Sequence, residues 1–296
     1  MKKLIIATRG SALALAQANM IRTQLASISV ESELFIVKTK GDRDRTTPLT
    51  KIGGSGLFVR GIEEALISHA ADIAVHCGKD LPYELMEGLV IAGIPQAAAS
   101  GDMLIWAKDG RFADYFRDAS RHDTFAPVIG TGSPRRITAA RRLFPQAEFC
   151  SIRGNIATRL GKINAGDCDA VILAKAGVDR QKLNLTGYET YLFSPEEMLP
   201  ACCQGILALE CRESDRDICE LLEKLTDPAA AIRFRAERTL FRALKADCAM
   251  PVGVHAVLDN QTITLHAMLN GRQVSRTGSV EEIPAITGEL TRMLNS

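Results

Sequence analysis

The chain has 296 residues and a formal net charge of +1, and 46% of its residues are hydrophobic. This length favours two or three domains over one core, and the near-neutral charge argues against a nucleic-acid or membrane-surface binder. No segment approaches the roughly 20 apolar residues that cross a bilayer, the opening apolar run is too short for a signal peptide, and the eight cysteines lack Cys-x-x-Cys spacing. We therefore expect a cytoplasmic monomer with no membrane partner, no nucleic-acid partner and no metal site.

The first third of the chain alternates strand and helix patterns. Ser11 is placed to cap the first helix. A long polar, glycine-rich loop at 42–56, after the second strand, is typical of a mobile lid. The predicted elements are, in chain order, a strand at 3–8, a helix at 12–27, a strand at 33–39, a helix at 57–69 and a strand at 72–77.

The middle third repeats this order and predicts a second unit of the same architecture. Two such units favour a two-lobed, hinged α/β protein that closes on a ligand, and 196–222 is expected to return the chain to the first lobe. The elements of the second unit are a strand at 127–131, a helix at 134–144, a strand at 147–151, a helix at 156–165 and a strand at 169–174.

The last third has a different pattern, which predicts a small α+β domain. Asp227 and Pro228 are a cap and first-turn pair for a helix that reaches about Lys245. Strands at 252–258, 262–269 and 272–280 and a helix at 281–294 follow it. The predicted domains are a first lobe at 1–103 plus about 200–222, a second lobe at 104–199 and a third domain at 223–296.

Charged residues stand where the predicted strands of both lobes end. Arg9 follows the first strand, and Lys79 and Asp80 follow the third. Because ligands of open α/β sheets bind outside the carboxyl ends of the strands, these side chains should share one cleft. Residues 131–180 contain nine Lys and Arg but four Asp and Glu, which favours a small polyanionic ligand.

Ser133 starts a predicted helix with proline at its first position and with Arg135 and Arg136 in its first turn. Free backbone N–H groups, the helix dipole and two guanidinium groups meet there. Since arginine prefers bidentate carboxylate or phosphate partners, we interpret the pair as an anion site. Arg141 and Arg142, one turn later, fit a solvated helix face instead.

Three other features keep two interpretations each. Arg153 and Arg159 flank a strand-to-helix turn whose glycine permits close approach of a ligand but also suits an ordinary turn. Asp80 with Lys79 fits either a surface ion pair or a carboxylate that donates a proton or stabilises developing positive charge. Cys248 lies in a loop, where it could hold a covalent cofactor, although a lone cysteine is more often a buried small hydrophobe.

We interpret several other reactive side chains as structural. His76 fits a core histidine, and the adjacent Cys202 and Cys203 fit buried filler. His255 and His266 lie on neighbouring predicted strands and are too few ligands for a metal site. The glycines of the lid loop lack the Lys-Ser/Thr of a P-loop, which argues against nucleotide binding.

Taken together, these segments resemble the hydroxymethylbilane synthase family, also called porphobilinogen deaminase, over nearly the whole chain. The order and spacing of so many motifs are highly specific. The matching segments are Ile6–Arg9 with Ser11, Leu15 and Gln17; Gly53–Phe58; Ala74–His76 with Lys79 and Asp80; Arg135 and Arg136; Arg153–Asn155 with Thr158 and Arg159; Gln204 and Gly205; Glu210–Arg212; and Cys248 with Pro251 and Gly253.

The resemblance implies two related, doubly wound α/β lobes, like those of type 2 periplasmic binding proteins, and a small α+β C-terminal domain that carries the cofactor. It implies a dipyrromethane joined to Cys248 by a thioether, on which four porphobilinogen molecules condense head to tail with loss of ammonia. Water then releases the linear tetrapyrrole. Asp80 matches the catalytic acid. Cofactor contacts match Lys79, Thr131, Ser133, Arg135, Arg136 and Arg153, and substrate contacts match Arg9, Ser11, Arg159, Arg180 and Phe58.

The chain departs from the family pattern at a few positions. Cys77 and Gly78 stand where Ser-Met is usual, Cys203 stands where Gly is usual, Ser55 replaces a lid lysine, and an arginine beside Asp102 is missing. A second hypothesis follows from these departures. The same two-lobed fold could close on a small dicarboxylate and do no chemistry.

Overall fold

The computed structural model describes residues 3–37, 59–82, 84–118, 125–246 and 249–296. The predicted lid loop at 42–56, Phe58 and Cys248 lie outside these ranges. Across the described ranges, no helix has the length and apolar character that a membrane span requires.

The first sheet has the strand order β2-β1-β3-β10-β4. Strands β1, β2 and β3 are parallel, and β10 runs antiparallel to both of its neighbours. The sheet packs against α1, whose first turn is capped because the Ser11 hydroxyl accepts from the Ala14 N–H at 3.3 Å. The elements of this lobe are β1 (Leu4–Arg9), α1 (Ala12–Ser27), β2 (Ser32–Val37), α2 (Arg60–Ile67), β3 (Ile73–Cys77), β4 (Leu89–Gly93) and β10 (Leu207–Arg212).

The second sheet has the corresponding order β7-β6-β8-β5-β9, with β6, β7 and β8 parallel and β5 antiparallel to its neighbours. Its elements are β5 (Asp102–Ala107), α3 (Arg111–Arg117), β6 (Val128–Gly130), α4 (Pro134–Leu143), β7 (Glu148–Cys150), α5 (Ile156–Asn164), β8 (Ala170–Ala174), α6 (Lys175–Arg180) and β9 (Tyr188–Leu192).

In each lobe, the antiparallel strand between two neighbours is the first strand that the chain forms after it crosses from the other lobe. β5 follows β4 of the first sheet, and β10 follows β9 of the second. Each entering strand therefore pairs in the interior of the sheet that it joins. The predicted strands and helices are present within a few residues of their expected bounds, but the sequence pattern did not indicate this antiparallel insertion.

The third domain packs α8 and α9 on an antiparallel sheet of order β11-β12-β13. Asp227 caps α8 by accepting from the Ala230 N–H at 2.7 Å, with proline at the first helical position, as predicted. The core of this domain continues into the first lobe through Leu81, Cys203 and Ile206. The elements are α8 (Pro228–Ala243), β11 (Val252–Asp259), β12 (Thr262–Leu269), β13 (Arg272–Ser279) and α9 (Ile283–Asn295). The preceding helix, α7 (Arg216–Glu223), packs on β4 and β10 of the first lobe.

Candidate functional site

The carboxyl edge of the first sheet carries Arg9, Lys79 and Asp80. Arg9 ends β1, and β3 ends in a short 3₁₀ turn over Gly78–Asp80. Since β1 and β3 are parallel, both groups lie at the same edge of the sheet. Lys79 is half-buried and Asp80 is exposed, and within the described part of the chain neither one forms an ion pair or a side-chain hydrogen bond. The simple Lys79–Asp80 surface pair, one of the two predicted alternatives, does not form.

At the same edge of the second sheet, Arg135 and Arg136 are buried against Asp102 at the start of β5. Arg135 Nη1 lies 2.7 Å from Asp102 Oδ2, and Arg136 Nη2 lies 2.8 Å from Oδ1. Burial alone raises the pKa of the Asp102 carboxyl, but the two guanidinium charges outweigh it and hold the pKa well below its usual range. Two buried cations thus share a single carboxylate, and the site keeps an excess of positive charge.

Asp102 is a partner that the sequence analysis did not assign to these arginines. The missed signal is a single acid at the first position of an otherwise apolar strand, because a buried carboxylate needs a cationic partner. Gln204 also donates to Asp102 Oδ1, at 3.0 Å. The remaining contacts of the pair go to backbone, since Arg135 Nη1 donates to the Leu199 carbonyl at 2.6 Å and Arg136 Nη1 to the Ile172 carbonyl at 2.9 Å.

The hydroxyl groups predicted to contact the cofactor organise the start of α4. Ser133 Oγ accepts from the Arg136 N–H at 3.5 Å, which agrees with its predicted capping role. Thr131 is buried, and its Oγ1 accepts from the Ser133 N–H at 3.3 Å. These contacts hold the guanidinium groups of the first helical turn at the sheet edge.

Arg159 lies close to Arg136 at the next strand-to-helix turn. Its Nε donates to the Gly154 carbonyl at 3.0 Å. Burial lowers the pKa of Arg159, and the charge of Arg136 lowers it further. Gly154 has φ of 103°, a backbone conformation that favours glycine. Arg153 is half-buried and forms no side-chain hydrogen bond with any described residue.

Arg180, at the end of α6, reaches the first lobe. Its Nη2 donates to the Gly205 carbonyl at 2.6 Å, and its buried Nε has no hydrogen-bond partner among the described residues. Burial lowers the pKa of Arg180, and the nearby Cys77 opposes this. Burial likewise raises the pKa of the Cys77 thiol, which also senses the charges of Asp80, Lys79 and Arg180. Arg180 of the second lobe therefore lies near Cys77, which directly precedes the turn that carries Lys79 and Asp80.

Contacts between helices show the same facing arrangement. Helices α1 and α6, which begin at the carboxyl ends of β1 and β8, pack on each other, and a Cβ at Gly177 would lie 3.8 Å from Leu13 Cδ2. The structure therefore sets the two carboxyl edges against each other. Ser11 contributes its helix cap at this place, and within the described ranges neither the Ser11 nor the Arg153 side chain is bonded to another predicted site residue.

The remaining reactive side chains have structural roles. His76 is buried, with Nε2 2.8 Å from Glu210 Oε2, so its prediction as a core histidine is confirmed. Cys202 and Cys203 are buried, which confirms them as filler. Among the described residues they form, with Glu237, a group compact enough for a metal ion, but both Glu237 oxygens already accept backbone N–H groups.

Comparison with known proteins agrees with the resemblance seen in the motifs. A family model described as porphobilinogen deaminase, dipyromethane cofactor binding domain, matches residues 4–220, and one described as porphobilinogen deaminase, C-terminal domain, matches residues 231–287. Porphobilinogen deaminase of Syntrophobacter fumaroxidans is 38% identical over 282 residues, which cover 93% of this chain and 88% of that protein. The enzyme of Nitratidesulfovibrio vulgaris Hildenborough is 42% identical over 284 residues, covering 93% and 87%.

Solved structures give more distant likenesses. YhfZ from Shigella flexneri is 17% identical with a TM-score of 0.38, covering 83% of this chain and 98% of that one. An ancestral cationic amino acid solute binding protein is 13% identical with a TM-score of 0.42, covering 75% and 87%.

The fold is that of a two-lobed α/β protein with a small third domain attached, and its second lobe buries two arginines against Asp102 at the carboxyl edge of the sheet. The chain belongs to the porphobilinogen deaminase family. This confirms the predicted family and fold class, and it confirms the predicted dipyrromethane as the cofactor of the matching family domain. The matches favour the enzyme over the dicarboxylate-binding alternative.

Proposed function

We propose that the protein is a hydroxymethylbilane synthase. In this reaction four porphobilinogen molecules condense head to tail on a covalent dipyrromethane, each with loss of ammonia, and water releases the linear tetrapyrrole. The observation that carries the proposal is that Arg180 of the second lobe reaches the Gly205 carbonyl of the first and lies near Cys77, directly before the turn of Lys79 and Asp80. An acid that is not bonded to another described residue, together with several cations, supplies the groups that this chemistry requires.

The cations fit a ligand that carries several carboxylates. Arg180 keeps a buried Nε without a hydrogen-bond partner among the described residues, and burial disfavours the charged forms of Arg159 and Arg180. A bound carboxylate would satisfy these groups, since arginine pairs well with carboxylates. The acetate and propionate arms of pyrrole units supply such carboxylates. When bound, the dipyrromethane supplies a pyrrole position for the first coupling.

The proposed role of Asp80 follows from its exposure and its surroundings. The amine of porphobilinogen leaves as ammonia, and the substrate carbon that it leaves carries positive charge. A carboxylate beside that carbon lowers the energy of the charge, and it can accept the proton released when the new carbon–carbon bond forms. Asp80 has no protein cation bonded to it within the described residues, so its charge is available for this purpose.

The other predicted site residues keep their roles as parts of the proposal. Cys248 is proposed as the thioether attachment point, at a position that follows α8 in sequence. The excess positive charge around Asp102 supports a role for the arginines of α4 in anion binding. Proposed cofactor contacts are Lys79, Thr131, Ser133, Arg135, Arg136 and Arg153, and proposed substrate contacts are Arg9, Ser11, Arg159, Arg180 and Phe58.

We also propose a division into three domains, which the three separate sheets support. The first lobe comprises 1–103 and about 200–222, the second lobe comprises 104–199, and the third domain comprises 223–296. A monomer that binds no nucleic acid is proposed on the near-neutral net charge of +1. A cytoplasmic location is proposed because the matched relatives are biosynthetic enzymes.

The test is to incubate the purified protein with porphobilinogen. Ammonia release, a uroporphyrin after oxidation and a protein mass increased by two pyrrole units after acid denaturation are expected. Ligand binding without ammonia, together with an unmodified Cys248 in protein made by cells that synthesise porphobilinogen, would support a binding module and overturn the proposal.

A further inference from the structure

The turn that carries Asp80 is held from the third domain by Arg238 of α8. Arg238 donates from Nη1 to the Leu81 carbonyl at 3.2 Å and from Nη2 to the Pro82 carbonyl. Leu81 is buried, and hydrogen bonds from a charged donor are about twice as strong as neutral ones. Both carbonyls belong to the two residues that directly follow Asp80. The Arg238 guanidinium therefore holds the backbone of the chain immediately after Asp80.

The preceding residue, Glu237, holds the other side of the same turn. It is buried, and its Oε2 accepts from the Cys203 N–H at 2.5 Å while Oε1 accepts from the Ala256 N–H at 2.9 Å. Cys203 lies directly against Gly78, since a Cβ on Gly78 would come within 2.8 Å of the Cys203 Cβ. Two consecutive residues of α8 therefore hold the beginning and the end of the turn.

Helix α8 is a rigid support for this purpose. It is capped at Asp227 and buries Ala236, Leu240 and Phe241 against the rest of the third domain. In sequence, α8 leads towards Cys248, the proposed attachment point of the cofactor. The same helix therefore contacts the turn of Asp80 and precedes the proposed attachment point in sequence, and the coupling reaction must keep these two groups aligned.

We propose that Arg238 is a positioning residue for Asp80. Arg238 ties the turn at 78–82 to α8, the helix that precedes Cys248 in sequence. The inference rests on the proposed function, because it takes Asp80 as the group that acts on the substrate. Loss of Arg238 displaces Asp80 and leaves the arginines of both lobes in place. The turnover number therefore falls, and the KM for porphobilinogen stays nearly unchanged.

The experiment compares three variants of the full chain. Arg238→Met removes the donors but keeps an unbranched stem beside Phe234, whose ring centre lies 6.0 Å from the guanidinium carbon. Arg238→Lys keeps one charged donor. Arg235→Met is the matched control, because Arg235 is exposed on the same helix. Each variant is made with and without Asp80→Asn, and the cofactor mass, the unfolding midpoint, kcat and KM are measured.

We expect Arg238→Met to lower kcat about ten- to a hundredfold, the loss typical of a misplaced reacting group. Arg238→Lys should recover part of that loss, and Arg235→Met should resemble the parent protein. In the Asp80→Asn background, Arg238→Met should lower kcat by no more than about twofold further, because effects that act through one group are not additive.

Equal losses in both backgrounds would show that Arg238 acts through the fold or through cofactor loading, which overturns the inference. An unchanged kcat in Arg238→Met would also overturn it. If Arg238→Met does not fold, Arg238→Lys in the two backgrounds gives the same comparison. Full activity of Asp80→Asn would overturn the proposed function instead, so the two failures can be told apart.

Discussion

Arg136 places its Nε and Nη2 at 3.1 and 2.8 Å from the same oxygen, Oδ1, of Asp102. Asp102 begins β5, by which the chain enters the second lobe, and Gln204, which also donates to Oδ1, precedes β10, by which the chain returns. One buried carboxylate thus joins both crossing segments to the cationic start of α4. This ion pair therefore lies where the two crossing segments meet, and it is also part of the candidate site.

Asp102→Asn should destabilise the protein. The change keeps the size of the side chain but leaves two buried guanidinium groups without a counter-charge, which typically costs about 3–5 kcal/mol. Urea unfolding at neutral pH measures the difference in free energy. Asp167→Asn is the control, because its pair with Lys162 is more exposed and should contribute less than about 1 kcal/mol. Equal effects of the two variants would contradict the central role of Asp102.

The contribution of Asp102 should also depend on pH. Its pKa is depressed in the folded protein, so its stabilisation is complete above the unfolded pKa of about 3.9 and is lost as the pH falls towards the folded value. The gap between the parent and Asp102→Asn should be constant from pH 7 to pH 5 and should shrink by about 1 kcal/mol at pH 3. A gap that widens in acid would contradict this sign.

Asp80→Asn should slow catalysis strongly without disturbing the fold. Asp80 is exposed and forms no side-chain bond within the described residues, so the unfolding free energy should stay within about 0.5 kcal/mol. The turnover number should fall about a hundredfold or more, as is typical when a general acid or base is removed. Ammonia release and intact mass measure both effects. Asp109→Asn, at another exposed carboxylate of a turn, should leave them unchanged.

Arg159→Gln should weaken substrate binding but not stability. Burial and Arg136 disfavour its charge in the folded protein, so its removal should leave the unfolding free energy within about 0.5 kcal/mol. The loss of one charged hydrogen bond to a carboxylate corresponds to a KM increase of about tenfold. Arg142→Gln, on the solvated face of α4, is the control and should change neither quantity. A large loss of stability in Arg159→Gln would contradict the assignment.

Gly78→Ala should be destabilising, and Cys203→Gly should suppress the effect. The added Cβ would lie 2.8 Å from the Cys203 Cβ, and such overpacking costs about 1–3 kcal/mol. Cys203 has φ of 56°, a conformation that glycine adopts easily. The cost of Gly78→Ala should therefore be smaller in the Cys203→Gly background, as a double-mutant cycle by urea unfolding will show. The small residue at Gly78 would then compensate for the larger residue at Cys203, so the two departures from the family pattern would be complementary.

Much of this protein was predictable from short stretches of sequence. The caps at Ser11, Ser133 and Asp227 act within three residues, and each one begins a helix where expected. The alternation of strand and helix patterns was enough to predict the parallel strands of both lobes. The period of the apolar residues indicates locally whether a segment forms a strand or a helix. The order of motifs along the chain was enough to indicate the family and its cofactor.

Only the tertiary structure decided which groups meet. The sequence pattern could not assign Asp102 to the arginines of α4, His76 to Glu210 or Arg238 to the turn after Asp80, because these partners are separated by 34, 134 and about 157 residues. Such contacts depend on where β5 and β10 enter their sheets, and no local propensity encodes that choice. The physical reason is that a buried charge takes the nearest partner in space, which the whole fold determines.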